Sequence, residues 1–183
     1  MNGLTARQSL DLLGLVSGQS LAVTGAPGAY GGYVVQLAKA EGLNVIVDAV
    51  EADEELVRSL GADIVIPRGG DYSVLIREHF PDGVDGLADG ALLNKRAIPA
   101  VRDGGIFTSI RGFVGEPQRD IIFTTTFVRT YDCEYEKLDR LRKMAEAGKV
   151  MLRVADVVSP EQVAEAHRRL HAGGTRGRLV IKF

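Results

Sequence analysis

The chain has no tryptophan, one cysteine, three histidines and six prolines in 183 residues, and aromatic residues make up 6% of it. A single cysteine excludes an internal disulfide. Cys133 sits between Asp132 and Glu134, whose charges raise a thiol pKa, so it reads as a packing residue and not as a nucleophile. A zinc site wants three or four thiolates, imidazoles or carboxylates at suitable spacing, and Cys133 with His79, His167 and His171 offers no such set; no metal is expected. His167 and His171 are four apart, on a helix whose buried stripe is Val163, Ala166 and Leu170, and His171 with Arg168 and Arg169 suits the negative end of the helix dipole. No run of about 18 apolar residues exists, which excludes a membrane-spanning helix. The start of the chain lacks the charged and apolar regions of a secretion signal, so a cytoplasmic location is the default expectation. The net charge is −2 and the pI about 5.9, with basic residues dispersed, which argues against a nucleic-acid partner. Internal repeats and low-complexity segments are absent. No Ser-His-Asp set or paired acid and base carboxylates can be read from spacing, and catalytic residues stay unassigned.

What is present is a hydrophobic content of 45% with 25% charge, enough for one folded domain over residues 1–183. Residues 1–17 form a lead-in helix (Leu4 to Leu15), 18–150 the core, and 151–183 a C-terminal return segment. The core reads as strand 20–25, helix 30–42, strand 43–49, helix 52–60, strand 63–66, helix 72–79, strand 84–88, helix 92–101 and strand 105–110. Strand 121–127, helix 134–147, strand 150–158, helix 160–171 and strand 178–183 complete it; Ser159, Pro160 and Gln162 form a capping-box start. Alternating strands and helices with short connections predict an α/β, Rossmann-type doubly wound fold, its mostly parallel sheet covered by helices on both faces. Ligands bind such sheets at the carboxyl ends of the strands, here near Gly25, Asp48, Ala88 and Ile110.

The strongest signal lies in SLAVTGAPGAYGGYVVQLAKAEGLNVIVD, from Ser20 to Asp48. Gly25 lets the chain leave the strand in a tight turn, Gly28 removes a Cβ that would hold backbone amides away from phosphate, and Gly31 lets the helix pack closely. Ala29 and Tyr30 open that helix, whose unpaired amides and dipole suit a dinucleotide pyrophosphate. Asp48, at the end of the next strand, can accept hydrogen bonds from a ribose and would favour NAD. If Ala49 faces the ribose instead, a 2′-phosphate is not repelled and NADP fits better. Glu51, Asp53, Glu54 and Glu55 read as an acidic first helical turn.

Taken in order, NGLTARQSLDLLGLVSGQSLAVTGAPGAYGGYVVQLAKAEG, ELVRSLGAD, GVDGLADG, AVRDGGIFTSI and AEAHRRLHAGGTRGRLVIKF resemble the medium-chain dehydrogenases/reductases, on their zinc-less quinone oxidoreductase (zeta-crystallin-like) side. The likeness covers almost the whole chain and corresponds to the family's cofactor-binding half. Its members carry a mostly β substrate domain before the NGLTA segment, with the substrate cleft between the two domains. The family's Gly-Gly-Val-Gly turn is here Gly28, Ala29, Tyr30, Gly31.

The resemblance implies that Thr5 packs by the nicotinamide and that Tyr30 replaces a small valine behind that ring. Tyr30 then either stacks on or partly blocks the nicotinamide, or turns to solvent or core. It further implies that Arg178 reaches the pyrophosphate, that the loop of Arg111, Gly112 and Phe113 runs past the carboxamide, and that Arg176 is a solvated surface charge. The implied activity is NADPH-dependent reduction of quinones, enones or activated carbonyls, with NAD possible as cofactor; the alternative is a nucleotide-binding module without independent catalysis. The partners expected are a small-molecule substrate and a second copy of the chain, paired through the apolar edge strand near 121–127, IIFTTTF.

Overall fold

The computed structural model describes residues 1–131 and 133–183; Asp132, invoked above beside Cys133, lies outside the described residues. Six strands, β1 (Ser20–Thr24), β2 (Asn44–Ala49), β3 (Ile64–Pro67), β4 (Val84–Asp89), β5 (Val101–Ser109) and β6 (Ile122–Thr125), form one parallel sheet in the order β3-β2-β1-β4-β5-β6. This is the doubly wound Rossmann order, with its reversal between β1 and β4. Every residue of β1 is buried, as expected of a central parallel strand covered on both faces.

Alternation along the strands divides the interior into two cores. Leu21 and Val23 of β1 and Val45, Val47 and Ala49 of β2 pack with α1 (Asn2–Leu13) and α2 (Ala29–Ala40). Ala22 and Ile46 pack on the other face with Ile66, Phe107 and Ile76 of α4 (Tyr72–His79). Because successive side chains change faces, Asp48 cannot share the side taken by Ala49.

α3 (Glu51–Ser59) begins with the expected acidic turn, and Asp71 caps α4 by accepting the amides of Ser73 and Val74. The stretch expected as a helix over 92–101 is instead two short 3-10 turns, Asn94–Arg96 and Ile98–Ala100, and β5 starts at Val101. Pro99 disfavours the α conformation at the residue before it, and Leu92 and Asn94 both have positive φ, so an α-helix cannot run through.

After β6 come α5 (Tyr135–Glu146), β7 (Val154–Val158), α6 (Val163–Ala172) and β8 (Arg178–Ile181). β7 and β8 pair with each other in a separate two-stranded parallel sheet, so β6 stands at the edge of the large one. The capping box of Ser159 and Gln162 is present and opens the turn before α6. Within α6 only Ala166 is buried; Leu170, expected in the apolar stripe, is exposed, because little of the molecule packs over this segment. Cys133 is likewise exposed, contrary to the packing role read from its sequence context. No helix among the described residues is long and apolar enough to cross a membrane.

Candidate functional site

The glycine turn joins β1 to α2 at the sheet's reversal point. Gly25 has φ +71, and a Cβ there would lie 3.3 Å from the Ala91 nitrogen, so this exit from the strand admits glycine. A Cβ on Gly31 would come within 2.4 Å of the Gly25 carbonyl oxygen, which shows that Gly31 lets α2 press on the turn itself. Gly28 is the N-cap of α2; its amide bonds the Gly25 carbonyl at 2.9 Å, and it supplies no side-chain cap. The amides of Ala29, Tyr30 and Gly31, at the first three positions of the helix, have no intrahelical acceptor and are available to an anion.

At the end of β2, Asp48 is 6% exposed, whereas Ala49 is enclosed in the first core. Asp48 lines a hollow of about 230 Å³ together with Arg68, Gly69, Gly70, Tyr72 and Arg96. Arg68 Nε donates to Asp48 Oδ2 at 2.7 Å. The other carboxylate oxygen, Oδ1, and the Tyr72 hydroxyl are buried without a hydrogen-bond partner among the described residues. Burial, and then the charges of Asp48 and Asp89, push the Tyr72 phenol well above its ordinary value. One unpaired acceptor and one unpaired donor, on two residues that line a single hollow, suit the hydroxyls of a ribose, since such groups are costly to leave unpaired.

The floor of the crevice is held by Asp89, which sequence reasoning missed. This fully buried residue at the end of β4 accepts from Thr24 Oγ1 at 2.6 Å and from the amides of Leu93 (3.0 Å) and Asn94 (2.7 Å). Thr24 Oγ1 in turn accepts the Ala91 amide at 2.9 Å. The available signal was an aspartate directly before Gly90, at the carboxyl end of an apolar strand.

Beyond it, at the ends of β5 and β6, hydroxyl groups pair with one another. Ser9 Oγ lies 2.8 Å from Tyr30 Oη and 2.7 Å from Thr126 Oγ1, and Thr126 Oγ1 lies 3.3 Å from Thr108 Oγ1. Tyr30 is thus turned inward, toward α1 and against Gly90, where a Cβ would lie 2.7 Å from its ring. Burial pushes its phenol upward and the Asp89 charge adds to this, while the Ser9 hydrogen bond opposes it. Thr5 enters through its carbonyl, which Ser9 Oγ bonds at 3.0 Å; its own hydroxyl donates to the Met1 carbonyl. Ser9 on α1 and Thr126 after β6 were also missed, because 117 residues separate them.

The three remaining arginines divide. Arg111 follows β5 on the surface, in a loop closed by Ser109 Oγ, which bonds both the amide and the carbonyl of Phe113. Arg178, at the start of β8, is exposed and lies on a small hollow with Ala29 and Arg153. Arg176 is no solvated surface charge: it makes two 2.6 Å bonds to Asp53, which is 5% exposed, a geometry suited to the planar guanidinium. A larger hollow of about 550 Å³, between α1, α5 and Tyr33, contains none of these strand-end residues.

Residues 30–181 match the family described as zinc-binding dehydrogenase. The chain belongs to that family. It has the cofactor-binding fold of the medium-chain dehydrogenases/reductases, and a crystal structure of an NAD-dependent alcohol dehydrogenase superposes with a TM-score of 0.83 at 26% identity, covering 100% of this chain and 56% of that one. The chain is 31% identical over 182 residues to 2-methylene-furan-3-one reductase of Solanum lycopersicum, an alignment covering 97% of this chain and 44% of that protein. It is 29% identical over 182 residues to the chloroplastic NADPH-dependent alkenal/one oxidoreductase of Arabidopsis thaliana, with the same shares covered. The chain therefore spans less than half the length of these two curated relatives. Despite the family's description, no group of three or more His, Cys, Asp or Glu among the described residues could hold a metal ion, so these residues do not fit zinc.

Proposed function

We propose that this chain is the nucleotide-holding part of an NADPH-dependent reductase of enones, quinones or other activated carbonyl compounds, working without zinc. The observation that carries the reading is the hollow at the strand ends, which Asp48 and Tyr72 both line and beside which Asp48 Oδ1 and Tyr72 Oη lack hydrogen-bond partners among the described residues. In this reading the opening amides of α2 hold the pyrophosphate, with Arg178 at its outer side. Asp48 and Tyr72 take the adenosine ribose, while the guanidinium groups of Arg68 and Arg96 face a 2′-phosphate. The bound nicotinamide supplies the hydride, and the wall of Thr5, Ser9, Tyr30 and Thr126 keeps its ring in place and water out. The backbone of the Arg111 loop meets the carboxamide. The names of the Solanum lycopersicum and Arabidopsis relatives support an enone substrate, and the Arabidopsis name supports the phosphorylated cofactor.

Ala49 is enclosed in the core and cannot meet the ribose, so in this reading the NADP preference rests on Arg68 and Arg96. Titration of nucleotide fluorescence tests it. NADPH should bind about tenfold more tightly than NADH, as expected when a charge-assisted pair is gained. The reverse order would mean that Asp48 meets an unphosphorylated 2′-hydroxyl and make NADH the cofactor, and binding of neither would overturn the whole reading.

A second reading, a nucleotide-binding module without catalysis of its own, draws support from the hydroxyls of Ser9, Tyr30 and Thr126, which are engaged with each other. Nucleotide binding without turnover on an enone and quinone panel would select it. The proposal includes a cytoplasmic location, to be checked by fractionation, and a homodimer through β6, which exposes Ile122 and is followed by the exposed Phe127. Sedimentation as a monomer would remove the dimer.

A further inference from the structure

We propose that Arg153, on the segment leading into β7, is a positioning residue for the phosphate-facing turn: it grips the turn's carbonyls from behind and so aims its amides into the crevice. The proposal rests on the dinucleotide reading above. Arg153 Nη1 donates to the Pro27 carbonyl at 2.9 Å and Nη2 to the Gly28 carbonyl at 2.7 Å. In a planar trans peptide the C=O and N–H point in opposite directions. A guanidinium that fixes the Gly28 carbonyl therefore fixes the Ala29 amide on the far side, where the phosphate would sit. Its positive charge also strengthens the field at that position.

The arginine has a prepared seat. A Cβ on Gly32 would lie 2.4 Å from Arg153 Nη2, so glycine at this position is what leaves room for the side chain. The backbone on either side is anchored as well. The Met151 amide donates to Gln36 Oε1 at 2.5 Å, Gln36 Nε2 donates to the Gly32 carbonyl at 2.9 Å, and the Arg178 amide donates to the Arg153 carbonyl at 2.9 Å. The adjacent cation Arg176 is held by Asp53, which leaves the turn to Arg153. A segment that contributes nothing to the large sheet thus reaches back across 125 residues to the one turn that matters for binding.

The test uses the full chain with Arg153→Met, Arg153→Lys and, from the opposite side, Gly32→Ala, which fills the seat while leaving the arginine in the sequence. Amide hydrogen exchange is followed without ligand, and NADPH and adenosine 2′-phosphate are titrated. Arg153→Met and Gly32→Ala should each speed exchange of the hydrogen-bonded amides of Gly28 and of residue 32 about tenfold, with the sheet unchanged, and weaken NADPH about tenfold while leaving adenosine 2′-phosphate unchanged. Arg153→Lys keeps the charge but not the two-pronged grip and should recover little. Unchanged turn exchange overturns the proposal, as does equal weakening of both ligands, which marks a general structural role. Faster exchange with unchanged NADPH affinity also overturns it. A wild-type chain that binds no dinucleotide overturns the function proposed above, and the exchange data alone then decide whether Arg153 holds the turn.

Discussion

The two ends of the crevice solve the same problem in opposite ways. Beside the end of β2, Asp48 Oδ1 and the Tyr72 Oη of α4 are buried and have no hydrogen-bond partner among the described residues, next to an arginine side chain that engages only one side of the carboxylate. At the ends of β5 and β6, Ser9, Tyr30, Thr108 and Thr126 complete one another's hydrogen bonds. An unsatisfied buried polar group costs about 1–3 kcal/mol, so the first end is at ease only when something fills it, and the second is complete as it stands. On the function proposed above, affinity and nucleotide choice belong to the charged end, and shape to the hydroxyl end. Asp89 and Thr24 join the two.

The largest disturbance is expected from Gly31→Val, which removes the turn that serves both ends. The nearest atoms to the new side chain are all backbone, at 2.4, 2.7 and 2.8 Å. Dinucleotide binding should vanish and thermal denaturation should show a loss of roughly 3 kcal/mol or more. Gly28→Val, whose Cβ meets a single atom at 3.1 Å, should abolish binding and leave the melting temperature nearly unchanged. Asp89→Ala separates the ends by stranding Thr24 Oγ1 and the amides of Leu93 and Asn94. A cost of about 3 kcal/mol, seen as a melting temperature lower by roughly ten degrees, is expected.

Arg68→Ala sharpens the contrast by acting on the charged end alone. NADPH should lose about tenfold in affinity while NADH changes little, read by fluorescence titration. The smallest effect belongs to the hydroxyl end. The folded chain keeps the Tyr30 proton above pH 10, where an unfolded phenol loses it, so the folded state then binds more protons and stability falls as the pH climbs. Tyr72 adds to the same slope. Tyr30→Phe should cost about 1 kcal/mol at neutral pH and flatten part of the alkaline decline in urea unfolding.

The strands, the glycine turn and α2 were legible because each is specified locally: apolar runs, glycines at a fixed offset, and helical spacing just beyond. The segment after β4 was not. Leu92, Leu93, Ala97 and Ile98 have helical spacing, yet Asp89 binds the amides of Leu93 and Asn94, and Pro99 follows. Asp48 was recognised as a site residue, but which of Asp48 and Ala49 faces the hollow depends on where the core lies on either side of β2. Sequence alone reads Arg176 as a surface charge and passes over Arg153, because their partners, Asp53 and the turn, lie more than a hundred residues away. Local patterns place elements; the fine structure of the site comes from pairs that only the finished fold brings together.

β1 is one of the sheet's two central strands, yet one of its two neighbours arrives late: Ser20 waits for Asp85 and Thr24 for Asp89, each across 65 residues. During synthesis at about 5–20 residues per second, the first three strands emerge with one flank of β1 open, an apolar ladder of unpaired backbone that any extended segment could join. A ribosome paused between Pro67 and Val84 would prolong that exposure. The central position that makes β1 the anchor of the mature crevice thus makes it the most vulnerable part of the nascent chain, the point where a holding chaperone would have the most to protect.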